Sequence, residues 1–275
     1  MHFMSLEAFF LPVTGGRLFC LLHRPAGETA IKGAVLYVHP FAEEMNKSRR
    51  MAALQAKTMA SAGYVVLQVD VLGCGDSTGD FADATWESWI ANLVEAGTWL
   101  RERTGMQLCW WGLRTGSLLA AEAAGRIGQP CRLLLWQPVL LGKQYLQQFL
   151  RLKIAGELLE GGAKGAMNRL KEQLTEEGFV EIAGYALNVS LARGLEGAEL
   201  VIPEVVQRTD LIEVSSGGAG ALSPAVSARL EKWQSVGKDV RGVSVAGPAF
   251  WQTTEIEECP PLIEASLRVL VETDA

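Results

Sequence analysis

Histidine is scarce in this chain. His2, His23 and His39 are the only three among 275 residues, and none stands beyond position 39. Chemistry that needs an imidazole from later in the chain is therefore excluded. The five cysteines, Cys20, Cys74, Cys109, Cys131 and Cys259, form no Cys-x-x-Cys pair, and their odd number and irregular spacing argue against a disulfide framework or a zinc site. No metal and no cofactor is expected, and a reducing cytoplasm fits this cysteine usage. Long apolar runs are also missing. The longest, Leu133 to Leu141 and Val65 to Leu72, are broken by Gln137 and Pro138 and by Gln68 and Asp70, short of the roughly 20 residues of a membrane span. Met1 to Phe10 carries His2 and Glu7 but no basic stretch, long apolar core or small-residue cleavage site, so no signal peptide is expected. A basic excess is lacking too: the net charge is −6 and the pI about 5.3, against a general affinity for nucleic acid. With 49% hydrophobic and 20% charged residues, disorder, collagen and coiled coil are excluded. The length suits one α/β domain with an insertion.

What is present is a rhythm of short apolar runs and helical stretches. Leu6 to Pro12 and Arg17 to His23 flank Thr14-Gly15-Gly16, a hairpin signal. Ala34 to Val38 and Tyr64 to Asp70 read as strands around a helix from Lys47 to Ala62 that Gly63 stops. Helices from Thr85 to Arg103 and Ser117 to Ile127 alternate with strands Met106 to Trp111 and Cys131 to Gln137. From about Val139 to Pro203 the pattern turns helical, with breaks at Gly161-Gly162 and Gly184, and this segment is expected to form a cap over the strand ends. Strands Thr209 to Val214 and Val240 to Ala246 and helices Ser223 to Ser235 and Pro260 to Val271 close the chain. The expected architecture is one α/β-hydrolase-like domain over 1–275. It has a mostly parallel twisted sheet, an antiparallel N-terminal hairpin and a helical cap insertion at 139–203. Ligands of such sheets bind beyond the carboxyl ends of the strands, here the loops at His39–Glu44, Gly73–Ser77, Gly112–Gly116, Ser215–Gly220 and Gly247–Trp251.

Gly112-Leu113-Arg114-Thr115-Gly116 joins a strand to a helix with the glycine spacing of the G-x-S-x-G nucleophile elbow, but with Arg114 at its centre. A guanidinium stays protonated and cannot attack. With this elbow, the segments Val38–Arg50, Asp70–Asp80 and Gly247–Thr253 resemble α/β-hydrolases of the serine aminopeptidase type. They resemble more closely the second type of hydrolase-like proteins associated with the bacterial exosortase A system. The resemblance implies a cytoplasmic protein of exopolysaccharide-producing Gram-negative bacteria, named a hydrolase for its fold. It brings no substrate with it.

In this fold the triad acid follows a late strand and the histidine follows the last one. Here those loops read Ser215-Ser216-Gly217-Gly218 and Gly247-Pro248-Ala249-Phe250-Trp251, without a carboxylate or an imidazole. The Ser-His-Asp mechanism is excluded. Two readings stay open. Backbone amides of Phe41 or Ala42, with Thr115 and the Arg114 guanidinium, form a site for a small anion or an acyl substrate, with Trp251 lining the pocket. Alternatively, Arg114 pairs with Glu43, Glu44 or Asp76 and plugs the pocket. Glu43 or Glu44 is a candidate base to activate water, His39 a residue that steadies its loop, and Ser77, Cys74 and Ser117 weaker nucleophile candidates. The chain is thus either an ester or thioester hydrolase without the usual triad or a non-catalytic relative. The latter would bind an anionic metabolite or a protein partner in exopolysaccharide synthesis or protein sorting.

Overall fold

The computed structural model describes residues 5–27, 30–158 and 165–272. His2 and the Gly161-Gly162 break lie outside them. The chain opens with the antiparallel hairpin β1 (Ser5–Val13) and β2 (Gly16–Arg24), paired from Ser5 with Arg24 to Val13 with Gly16. Then come β3 (Gly33–Val38), α1 (Glu43–Ser61), β4 (Tyr64–Val69), a 3-10 turn at Phe81–Asp83, α2 (Trp86–Thr104), β5 (Leu108–Leu113), α3 (Gly116–Ile127) and β6 (Cys131–Trp136). An inserted unit follows, built of α4 (Gly142–Leu158), α5 (Ala166–Glu176), the hairpin β7 (Phe179–Ile182) and β8 (Tyr185–Asn188), and α6 (Val189–Gly197). The chain closes with β9 (Val206–Ser215), α7 (Pro224–Ser235), β10 (Val240–Ala246) and α8 (Pro260–Val271).

Eight strands form one sheet in the order β1-β2-β4-β3-β5-β6-β9-β10, antiparallel through β4 against β2 and parallel from β4 to β10. This is the expected α/β-hydrolase layout. The central strands are apolar because both faces are covered: all six residues of β5 are buried. Alternate side chains separate into two layers. Leu36, Val38 and Trp110 pack with Trp89 and Leu93 of α2 and Leu118 of α3. Val35, Tyr37, Trp111 and Leu113 pack with Met51 and Met59 of α1 and Leu262 of α8.

Local signals set the helix ends. Thr85 caps α2 by accepting from the Ser88 amide at 3.0 Å, and Gly105, at φ 67°, ends it. Helix α1 begins at Glu43 rather than Lys47, so Glu43 and Glu44 occupy its first turn, where carboxylates suit the positive end of the helix. The insertion differs from the helical expectation, because Phe179–Asn188 is a β-hairpin. Its burial alternates along β7, with Val180 and Ile182 inward, and Gly184 supplies the turn at φ 82° rather than a helix break. Asn188 caps α6 and donates from its side chain to the carbonyls of Ala82 and Ala84, tying the insertion to the 3-10 turn.

Candidate active-site cleft

Strand β3 lies between β4 and β5, so α1 leaves β3 toward one side while the loop after β5 rises on the other. The crevice at such a reversal of strand order is where open α/β sheets place ligands. The β5–α3 turn is tightly built. The Arg114 amide donates to the Trp136 carbonyl at 2.9 Å, and the Arg114 carbonyl accepts from Ser117 at 3.0 Å and Val139 at 3.3 Å. A Cβ on Gly112 would lie 2.7 Å from the Gly116 carbonyl oxygen and the Ser117 Cα, and one on Gly116 would run into the Val38 carbonyl oxygen. Only glycine lets the helix, the strand and the 39–42 loop approach this closely.

Arg114 pays for this turn with φ 55°, in the left-handed region that side chains disfavour. Ala42, at φ 50° in the loop after β3, and Gln137, at φ 42° after β6, are strained in the same way. Three of the four non-glycine residues with positive φ among those described thus stand together at the carboxyl edge of the sheet; the fourth, Ala183, is in the β7–β8 turn. Clustered strain of this kind persists where the surroundings enforce a site.

The Arg114 side chain is paired. Its Nε lies 3.3 Å from both carboxylate oxygens of Glu44, its Nη2 lies 3.3 Å from Oε1, and its Nη1 reaches the Gln137 carbonyl at 3.5 Å. Side-chain exposures are 12% for Arg114 and 13% for Glu44. The guanidinium carbon lies 5.7 Å from the ring centre of Tyr145 on α4 and 5.5 Å from that of Trp251, close enough for cation–π attraction. Trp251 belongs to the loop after β10, where a triad histidine would follow the last strand. Burial pushes the Glu44 carboxyl above its usual range, and the Arg114 charge and hydrogen bonds from Arg114, Tyr145 and Gln252 pull it partly back. Burial, with the Glu44 charge beside it, raises the Tyr145 phenol.

Above the pair lies a cleft of about 390 Å³ lined by Phe41, Glu43, Glu44, Lys47, Arg114, Tyr145, Gln148, Phe149, Leu152, Trp251 and Gln252. Lys47 bonds the Gln252 carbonyl at 3.3 Å and pairs with Glu43 at 3.4 Å. Ala42 and Thr115 are buried and do not themselves line this cleft, although each adjoins a residue that does, Phe41 and Arg114. The Phe41, Ala42 and Thr115 amides donate no hydrogen bond to another described residue.

The cleft therefore gathers Phe41, Glu43, Glu44, Arg114 and Trp251. Of the three carboxylates considered for Arg114, Glu44 is its partner. The other candidates do not line this cleft. His39 bonds the Pro40 carbonyl through Nδ1 at 2.8 Å and accepts the Val71 amide on Nε2 at 3.4 Å. Both ring nitrogens are occupied, and burial lowers its pKa, so it holds loops together as a neutral ring. Ser77 Oγ donates to the Asp70 carbonyl at 2.6 Å and accepts the Phe19 amide. Asp76 follows Gly75 in the same loop and is exposed. Ser117 Oγ donates to the Gly112 carbonyl, and burial pushes the Cys74 thiol to about 12. Tyr145, Phe149 and Gln252 are cleft residues that sequence reading missed; Tyr145 and Phe149, four apart on α4, carried the only periodic signal. Among the described residues, no group of three or more His, Cys, Asp or Glu could hold a metal ion, and no helix is long and apolar enough to cross a membrane.

Comparison with known proteins agrees with this architecture. Residues 15–129 match the model of the X-Pro dipeptidyl-peptidase (S15) family. The chain is 33% identical over 91 residues to human Protein ABHD12B, a match that covers 33% of this chain and 24% of that protein. Among solved structures, Est1E from Butyrivibrio proteoclasticus with bound ferulic acid superposes with a TM-score of 0.69 at 17% identity, covering 96% of this chain and 98% of that one. A thermostable carboxyl esterase from Bacillus coagulans in complex with glycerol gives 0.67 at 14% identity, over 99% and 100%. The fold is that of the α/β-hydrolase superfamily.

Proposed function

We propose that this protein is a non-hydrolytic member of the α/β-hydrolase superfamily whose cleft binds a small carboxylate-bearing molecule with an acyl or aryl body. The observation that carries this reading is Arg114. A paired guanidinium occupies the strained elbow position, Trp251 stands over it from the loop after β10, and a cleft opens directly above. The elbow presents a two-pronged cation in place of a nucleophile, and the Phe41, Ala42 and Thr115 amides, which donate to no other described residue, add donors suited to an anionic oxygen. Phe41, Tyr145, Phe149 and Leu152 give the apolar wall for the body of the molecule.

The resemblance of the Val38–Arg50, Asp70–Asp80 and Gly247–Thr253 segments to exosortase A-associated proteins supports a role in exopolysaccharide synthesis or protein sorting. It also supports a cytoplasmic setting, with which five free, buried cysteines agree. The domain reading within this proposal is one hydrolase-like domain with 139–203 as its cap. A second reading is favoured by one observation: Glu44, raised by burial beside Arg114, has the character of a general base for ester or thioester hydrolysis. Both its oxygens are directed at the guanidinium, which favours binding over catalysis.

The test is calorimetric titration of the purified chain with 3-phenylpropanoate and octanoate, beside the corresponding amides. Saturable binding of the carboxylates, lost in Arg114→Met and absent for the amides, is expected. Turnover of activated esters or thioesters that disappears in Glu44→Gln would instead establish the second reading.

A further inference from the structure

A carboxylate entering the cleft meets a guanidinium that already has a partner. We infer that the Glu44–Arg114 pair is an exchange site. The carboxylate of the ligand replaces that of Glu44 on Arg114, and Glu44 takes up a proton, so that binding and protonation occur together. The inference rests on the reading of the cleft as a carboxylate site.

The geometry of the pair supports exchange. All three contacts between Arg114 and Glu44 are 3.3 Å, longer than the 2.7–2.9 Å usual for charge-assisted bonds. Arg114 Nη1 has only the 3.5 Å contact to the Gln137 carbonyl among the described residues. Both side chains line the same cleft, so an incoming carboxylate reaches the guanidinium without moving a packed core residue.

The charges around Glu44 then decide its protonation. From the β5–α3 turn comes Arg114, from α4 Tyr145, from its own helix Glu43 and Lys47, and from the loop after β10 the neutral Gln252. Lys47 and Glu43 face each other at 3.4 Å and largely cancel. No second uncommitted cation among these groups is available to a displaced Glu44. With the ligand on Arg114, two carboxylates would share one guanidinium in a largely dehydrated place, and like charges so placed cannot both stay ionised at little cost. Burial already drives the Glu44 carboxyl upward against the pull of Arg114; weakening that pull drives it further. Protonated Glu44 can still accept from Tyr145 and gains an O–H to donate to the ligand carboxylate. The balance is simple: one proton moves from solvent to a Glu44 oxygen, Arg114 stays charged, and no covalent bond between heavy atoms forms or breaks.

The sign of the pH effect follows. Glu44 has a higher pKa in the complex than in the free protein, so affinity rises as pH falls between the two values, by up to about tenfold per pH unit. Glu44→Gln imitates the protonated side chain and removes both the competition and the pH dependence.

The experiment is calorimetry of 3-phenylpropanoate binding to the full chain and to Glu44→Gln at pH 6, 7 and 8, each in two buffers of different ionisation enthalpy. The result expected is net uptake of a proton by the unmodified chain at one or more of these pH values. Glu44→Gln should take up none and bind about tenfold or more tightly at pH 8. Binding to the unmodified chain without proton uptake at any pH, with equal affinity in Glu44→Gln, would overturn the exchange and leave the carboxylate site standing. Absence of binding to both proteins, each folded by circular dichroism, would overturn the exchange together with the carboxylate reading.

Discussion

Replacing Arg114 by methionine should destabilise the protein by an amount that grows with pH. Methionine keeps an apolar stem between Tyr145 and Trp251 and removes the charge that Glu44 faces. Breaking one side of a buried pair costs about 3–5 kcal/mol when the orphan must remain charged. Glu44 can avoid that by taking a proton, and each pH unit above its pKa makes this about 1.4 kcal/mol harder. The Glu44 pKa is already above the unfolded value and rises further when Arg114 is lost. The folded variant therefore holds its proton to higher pH than the folded parent does, and its relative stability falls as pH rises between the two values. Allowing for hydration from the adjacent cleft, the deficit should be under about 1 kcal/mol at pH 5 and about 2–3 kcal/mol at pH 8. Urea unfolding followed by tryptophan fluorescence at several pH values measures it. A deficit that does not change from pH 5 to 8 would refute the reasoning, since it would mean that Glu44 does not bear on Arg114 as a charge.

Three other outcomes are expected. Arg114→Ser restores the Gly-x-Ser-x-Gly sequence but should give neither esterase turnover nor fluorophosphonate labelling, because no histidine follows β10; turnover in that variant would contradict the exclusion of triad chemistry. Arg114→Gly should be more stable than Arg114→Ala by about 1 kcal/mol in urea unfolding, since glycine accepts φ 55° without strain. Stability should also fall on acidification below about pH 6.5, the ordinary histidine value. Burial lowers the pKa of both His23 and His39, so the unfolded state binds protons that the folded state refuses; His39→Asn should flatten this acid limb.

Much of the fold is legible in the residues because the strongest signals are local. Continuous apolar runs such as Ala34–Val38 mark strands covered on both faces, and Gly63 and Gly105 mark where helices stop. The insertion was less legible. Burial alternates along Phe179-Val180-Glu181-Ile182, but the residue types do not, because the outward Phe179 is as apolar as the inward Val180, and so short a strand shows no period in its sequence. The start of α1 at Glu43 was obscured because Ala42 caps it with positive φ and no side-chain bond, leaving no capping residue to read. At the site, the absent histidine and the arginine at the elbow are plain in the sequence. The choice of Glu44 over Glu43 and Asp76 is not, because it depends on which face of the first turn of α1 looks at the β5–α3 turn. Glu43 points toward Lys47 at the more exposed side, while Glu44 meets Arg114, Tyr145 and Gln252. Tyr145 and Phe149 reach the cleft from a distant segment, which only the packing of α4 over the strand ends reveals.

The central claim is that this hydrolase fold binds at its elbow and does not cleave there. Intact-mass measurement of the purified chain after incubation with a fluorophosphonate, beside a serine esterase as control, tests it most directly. An unchanged mass, with the control fully modified, is the predicted result. A stoichiometric adduct on any serine of this chain would contradict the claim.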